Sequence, residues 1–213
     1  MLYNPPAFRE TDIAALQAQI AESGLATLVS VGANGPIVSN LPIIFDPHEG
    51  DFGSISGHIA RANPQWRESD LSIPAIAIFA GADAYVSPGW YKSKQEHGKV
   101  VPTWNYSTIV ARGRLEIFED ADALREQVEQ LTKRFEASFE KPWAVSDAPE
   151  DFIARQINGI VGVRLHLDSI EGKAKLSQNR TPADREAVIN ALSSSARGGD
   201  RAVAEKMRAR CKP

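Results

Sequence analysis

From residue 25 to residue 170 the chain alternates short apolar runs with tight turn signals and never settles into a β-α-β rhythm. That pattern constrains the fold more than any other feature. The run L-A-T-L-V-S-V, the turn G-A-N-G-P and the run I-V-S-N-L-P-I-I-F read as a β-hairpin. A second turn, D-P-H-E-G-D, leads to F-G-S-I-S-G-H-I, and further strands are expected at residues 73–79, 84–87, 109–118 and 160–170. One long helix interrupts them: after the acidic start E-D-A-D, the apolar Leu124, Val128, Leu131, Phe135 and Phe139 recur every three or four residues. A first helix is expected where Thr11 or Asp12 caps Ile13, Leu16 and Ile20, ending near Gly24. Short strands joined by tight turns define a mainly β, α+β chain with an antiparallel barrel, and exclude a Rossmann fold.

At 213 residues the chain can bury a core without disulfide staples. Its single cysteine, Cys211, allows neither a disulfide framework nor a Cys-x-x-Cys pair, which fits a reducing cytoplasm. The N-terminal M-L-Y-N-P-P-A-F-R-E lacks a basic n-region and an apolar h-region, and no apolar run approaches the ~18 residues of a membrane span. A soluble, unprocessed, cytoplasmic protein with no membrane partner is expected. A net charge of −3 argues against a broadly basic, nucleic-acid-coated surface. His48, His58, His97 and His166 form no ligand pair, so no metal site is expected. His166, between Leu165 and Leu167 on a strand, is expected to face solvent or a subunit contact. Gly-x-Ser-x-Gly, a Walker loop and Gly-x-Gly-x-x-Gly are all missing from the sequence, which removes the commonest hydrolase, triphosphatase and dinucleotide signatures.

The organisation changes near residue 170, giving an expected barrel domain over 1–170 and a helical C-terminal arm over 171–213 that packs on the barrel or on a partner subunit. Thr181-Pro182-Ala183-Asp184 supplies a capping hydroxyl, a proline at the first helical position and an acid in the first turn. After S-S-S-A-R-G-G-D a last helix carries Arg201, Lys206, Arg208 and Arg210. The connection is too long for a helix-turn-helix, and the last helix shows no clear apolar stripe to hold it against the one before. DNA remains a partner only through these basic residues.

Three segments can carry chemistry. In G-H-I-A-R-A-N-P-Q-W, residues 57–66, a strand ends at His58, Arg61 follows, and Asn63-Pro64 has the form of a helix start. Free N–H groups beside a guanidinium make a phosphate cradle; the plainer reading is a capped turn with a solvated arginine. Residues 87–106 pack Trp, Tyr and Lys into a stretch too rich in Gly, Pro and charge for a core. Ser87, Tyr91, Lys94, Trp104 and Asn105 there supply stacking and hydrogen bonds for a flat, anionic ligand, or else the segment is a lid over a barrel end. In E-G-K-A-K-L-S-Q-N-R, residues 171–180, the cations Lys173, Lys175 and Arg180, with Ser177, Gln178 and Asn179 as hydrogen-bonding groups, belong to a second anion site, to a strand-end arm that closes a neighbouring subunit's pocket, or to an ordinary charged loop.

With these segments in order, the chain resembles the PaiB-type FMN-binding negative transcriptional regulators, a family of the FMN-binding split-barrel fold. The resemblance rests on Y-N-P-P-A-F at 3–8, S-N-L-P at 39–42, G-H-I-A-R-A-N-P-Q-W at 57–66, A-Y-V-S-P-G-W-Y-K-S-K at 84–94, V-P-T-W-N-Y at 101–106, L-T-K-R-F-E at 131–136 and G-K-A-K-L-S-Q-N-R at 172–180. Gly89 departs from it, standing where a small polar residue is expected. The resemblance implies a six-stranded antiparallel split β-barrel with peripheral helices, a homodimer, and FMN in a groove between subunits. His58, Arg61, Asn63, Ser87, Tyr91, Lys94, Trp104, Asn105, Lys175 and Gln178 are then the expected cofactor-binding residues, with no catalytic residue assigned. Regulation of transcription is the implied role. A flavin-dependent oxidoreductase or a haem-binding protein is the alternative, since the fold hosts both.

Overall fold

Asp12 caps the first helix by accepting the Ala15 N–H at 3.2 Å, which fixes where helix α1 begins. The structure, a computed structural model, describes residues 2–210, so Cys211 lies outside the described residues. In chain order the elements are β1 (Arg9–Glu10), α1 (Ile13–Glu22), β2 (Leu25–Gly32), β3 (Gly35–Pro42), β4 (Ile44–Asp46), β5 (Ser54–Ala60), α2 (Gln65–Glu68), β6 (Ala75–Val86), α3 (Ser93–His97), β7 (Thr103–Phe118), α4 (Ala121–Glu136), α5 (Glu150–Asn158), β8 (Ile160–Lys175), α6 (Pro182–Ser193) and α7 (Gly198–Ala209). The expected hairpin is β2–β3, paired from Leu25↔Pro42 to Gly32↔Gly35 around a two-residue loop, with Gly35 at φ +110°.

The sheet has eight strands, in the order β3-β2-β6-β7-β8-β5-β4 with β1 on β8, and not the expected six. Six strands of seven or more residues carry it. The additional two, β1 and β4, are two and three residues long, too short to print an alternation in the sequence. The strands expected at 73–79 and 84–87 are one continuous β6.

The chain divides into two compact units. Unit 1 comprises the described residues of Met1–Thr11, Ala80–Ile109 and Glu171–Pro213; unit 2 comprises Asp12–Phe79 and Val110–Ile170. In unit 2 inward residues such as Leu28, Leu41, Ile55, Leu115 and Val163 fill the barrel, leaving a residual space of about 10 Å³. That interior is a packed core with no room for a ligand. Gly57 lets β5 pass the end of β3, since a Cβ there would sit 2.6 Å from the Pro42 carbonyl oxygen. A second cluster of Leu124, Val145, Ile153 and Ile157 lies under α4 and α5. His166 is held between two carboxylates, with Nδ1 2.5 Å from Glu49 and Nε2 2.5 Å from Glu116.

Unit 1 is built on α6 and α7. Thr181 caps α6 by accepting the Asp184 N–H at 3.2 Å. Val188, Ile189 and Leu192 of α6 and Val203, Ala204 and Met207 of α7 join Ala84, Val86, Tyr91, Ala174 and Leu176 in one buried cluster. The last helix therefore does have an apolar stripe, contrary to expectation. It is narrow and includes an alanine, so the surrounding Arg and Lys mask it in the sequence.

Candidate functional site

The ten expected residues fall into two groups, three in unit 2 and seven in unit 1. In unit 2, Arg61 follows the end of β5, and each nitrogen of its guanidinium has one partner. Nε donates to the Asn158 carbonyl at 2.8 Å, one terminal nitrogen to the Ile160 carbonyl at 3.1 Å, and the other to Glu119 at 2.5 Å. The Trp66 indole donates back to the Arg61 carbonyl at 3.0 Å. Asn63 accepts the Gln65 N–H at 3.0 Å and donates to the Ser39 hydroxyl at 2.7 Å. The helix that Asn63-Pro64 announces, α2, lasts a single turn. His58 Nδ1 meets the Gln127 amide oxygen at 2.8 Å. Arg61, Asn63 and His58 thus each have partners within their own unit, whereas the buried Gln65 side-chain oxygen has none.

Unit 1 brings together the ends of β7 and β8 and the 87–98 segment. Side chains alternate across β7, so Trp104 stands 47% exposed while its neighbour Asn105 is fully buried. The exposed Trp104 ring meets Tyr85 of β6 edge-on, with centroids 6.0 Å apart and Tyr85 itself 43% exposed. Lys175, the last residue of β8, reaches across to β7: its ammonium donates to the Trp104 carbonyl at 2.6 Å and to the Thr103 hydroxyl. Partial burial holds its pKa below the ordinary lysine value, helped by the nearby charges of Lys173 and Arg180 and opposed by Tyr106. A desolvated ammonium of this kind attracts an anion strongly. Lys94, on α3, is exposed and has no side-chain partner among the described residues.

The other expected residues of unit 1 act as scaffold. Asn105 and Ser177 exchange hydrogen bonds of 3.0 and 3.1 Å, and Asn105 also meets the Met207 sulfur at 3.4 Å. Gln178 accepts the Leu176 N–H at 2.7 Å and donates to the Ala174 carbonyl at 2.5 Å, clamping the turn after β8. Within that turn Ser177 takes a left-handed backbone, φ 61°, the sole such non-glycine residue among those described. Ser87 accepts the Gly89 N–H at 3.1 Å and caps a one-turn 3-10 segment. Tyr91 is buried under the Arg180 guanidinium, 4.7 Å from its ring centroid, and its hydroxyl has no hydrogen-bond partner.

Two further residues belong with this group and were missed, Tyr85 and Asp184, and Lys173 of the 171–180 segment joins them. Tyr85 could have been found, because it sits out of phase with the buried Ala84 and Val86 on a strand. Lys173 is buried between the Tyr3 and Tyr106 rings, with its ammonium on the Tyr3 carbonyl at 2.8 Å. Asp184 accepts both the Ser93 N–H, at 3.0 Å, and the Ser93 hydroxyl, at 2.8 Å, fastening α3 to the start of α6. Burial pushes the Asp184 pKa up, but these bonds, with those from Thr181 and the Lys92 N–H, outweigh it and the net shift is downward. Nothing in the spacing from 93 to 184 announces that pair.

An antiparallel, sheet-rich α+β fold with peripheral helices is the fold of the flavin-binding split-barrel proteins. The structure of Rv2991 from Mycobacterium tuberculosis, a conserved hypothetical protein, superposes with a TM-score of 0.56 at 14% identity, over 85% of this chain and 94% of that one. The flavocytochrome Anf3 from Azotobacter vinelandii superposes with a TM-score of 0.54, also at 14% identity, over 82% of this chain and 70% of that one. Such identities establish the fold alone. Residues 2–169 match the family described as "Putative FMN-binding domain", and the chain belongs to that family, whose cofactor is FMN. Protease synthase and sporulation protein PAI 2 of Bacillus subtilis strain 168 is 29% identical over 206 residues, which cover 97% of this chain and 96% of that protein. Among the described residues no helix is long and apolar enough to cross a membrane.

Proposed function

We propose that FMN binds on unit 1, with its ring against Trp104 and Tyr85 and its negative charge near Lys175. The observation that carries this reading is the partly desolvated Lys175 ammonium held at the carbonyl of an exposed tryptophan. The donor set suits the cofactor: an indole for the isoalloxazine, an ammonium for the phosphate, and Lys94 and Arg180 as further cations. When bound, FMN supplies a redox-active ring; the residues of this chain stack on it and balance its charge. Titrating wild type and Lys175→Met with FMN and with riboflavin tests the placement. A charge-assisted contact is worth roughly 1.5–3 kcal/mol, so FMN affinity should fall about ten- to a hundredfold while riboflavin is little changed. Equal losses for both ligands would move Lys175 from the phosphate to the ring.

Arg61 as a phosphate ligand is a separate proposal. It requires the phosphate to displace Glu119, which is half-exposed and so a weak competitor.

The role we infer is regulation, exerted by a homodimer. The extended likeness to PAI 2, whose name attaches it to protease synthesis and sporulation, supports this reading. The basic residues of α7, and Arg210 just after it, are engaged within the chain: Arg201 on the Ser195 and Ala196 carbonyls, Arg208 on the Ser193 hydroxyl, Lys206 on Ser107 and Arg210 on Glu10. They leave little for base edges, so regulation without sequence-specific DNA contact by the isolated protein is the version we favour. Sedimentation tests both parts: the expected mass is twice 23.2 kDa, unchanged by duplex DNA at physiological salt. A monomer mass, or tight association with one defined DNA site, overturns the corresponding half.

A further inference from the structure

The L-T-K-R-F-E segment takes no part in the reading above, yet it forms one wall of a cavity of about 660 Å³ on unit 2. That volume falls in the range of small-molecule sites, roughly 300–1,000 Å³. One wall is the last two turns of α4, where Glu129, Thr132, Lys133 and Glu136 share a face by their three- and four-residue spacing. The facing wall is the segment 142–146, which presents the Trp143 indole, 45% exposed, and Ser146.

Both walls are held from behind. The Trp143 backbone N–H donates to Glu136 at 2.9 Å, the Ala144 backbone N–H donates to Asp147 at 2.9 Å, and Val145 is buried against Leu124, Ile153 and Ile157. The cavity is therefore preformed, with no ordering cost beyond that of the ligand.

Its electrostatics choose the ligand. Two carboxylates face one ammonium, and α4 ends at Glu136, so the partial negative charge of its terminal carbonyls adds to theirs. The Glu129 carboxylate has no hydrogen-bond or ion-pair partner among the described residues, and Glu136 uses a single oxygen on Trp143. An anion would meet repulsion here, and a neutral body would gain nothing from the two carboxylates, which are exposed and part-exposed. A tryptophan face beside carboxylates is the chemistry that holds an ammonium.

We propose that this cavity binds an organic cation, a protonated or quaternary amine on a compact apolar body, with the charge between Trp143 and the two glutamates. The site is independent of the flavin reading.

Calorimetry on the full-length, FMN-loaded protein tests it with three probes of one shape: 2-phenylethylammonium, 2-phenylethanol and 3-phenylpropionate. The ammonium should bind in or below the millimolar range and at least about tenfold more tightly than the alcohol, while the carboxylate shows no heat at about 10 mM. The ammonium should also shift the indole N–H resonance that disappears in Trp143→Leu. Glu136→Gln keeps an acceptor for the Trp143 N–H and should weaken the ammonium about five- to tenfold without changing the flavin spectrum. Equal affinity for ammonium and alcohol would overturn the proposal, as would no binding by any probe or a Trp143 resonance that stays in place.

Discussion

The segment at 57–66 in unit 2 and the strand ends around Trp104 in unit 1 look equally rich in ligand-binding groups, yet they dispose of those groups in opposite ways. Arg61, Asn63 and His58 each satisfy a neighbouring carbonyl, carboxylate or amide. Trp104, Tyr85 and Lys94 leave their surfaces open, and Lys175, although it donates to the Trp104 carbonyl and the Thr103 hydroxyl, remains part-exposed beside them. A polar residue that completes its own backbone has done its work before any ligand arrives. What distinguishes a contact from a scaffold is the account of partners, and residue type does not reveal it.

The largest test of this contrast sets two adjacent residues of β7 against each other. Asn105→Ala strands the buried Ser177 hydroxyl and opens a small void, and should cost about 2–3 kcal/mol in urea unfolding. Trp104→Ala should leave the unfolding midpoint nearly unchanged, within about 0.5 kcal/mol, and weaken FMN roughly tenfold or more. Reversed outcomes would break the division between scaffold and contact.

Asp184→Asn comes next, with an expected loss of about 1 kcal/mol at neutral pH. Because the folded-state pKa of Asp184 lies below its ordinary value, the stability it lends is present above the unfolded pKa and is lost as pH falls through the folded one. Wild type and variant should thus converge in acid. A gap that is constant with pH would assign the loss to packing. The smallest effect is Glu119→Gln, which loosens the half-exposed ion pair on Arg61. If Arg61 meets the phosphate, FMN should bind up to about fivefold more tightly; if Arg61 is scaffold, affinity stays put.

Much of the barrel was legible in the sequence because burial on one face prints a two-residue period. The β2–β3 hairpin, α1 and α6 fall where their caps and apolar spacing point, α4 begins at its acidic start but ends at Glu136, short of Phe139, and α7 is present without the cap or conspicuous stripe that would announce it. The short β1 and β4 escape because two or three residues cannot show a period. Of the site, the aromatic and cationic segments were visible, since exposed rings beside lysines are conspicuous. Which residues face outward was not. Trp104 and Asn105 are neighbours in the chain, and only the pleat decides that one is open and the other wholly enclosed. Contacts such as Ser93 to Asp184 and Asn105 to Met207 span 91 and 102 positions and leave no local trace.

The make-up of unit 1 also governs when it can form. Its buried cluster draws Ala84, Val86 and Tyr91 from the middle of the chain and Val188, Leu192, Val203 and Met207 from beyond residue 170. Every residue of unit 2 has been synthesised by Ile170, before the α6 and α7 residues that unit 1 needs. Until Met207 is in place, Asn105 lacks its sulfur contact, so the support beneath the exposed Trp104 is completed by a residue 102 positions further along the chain.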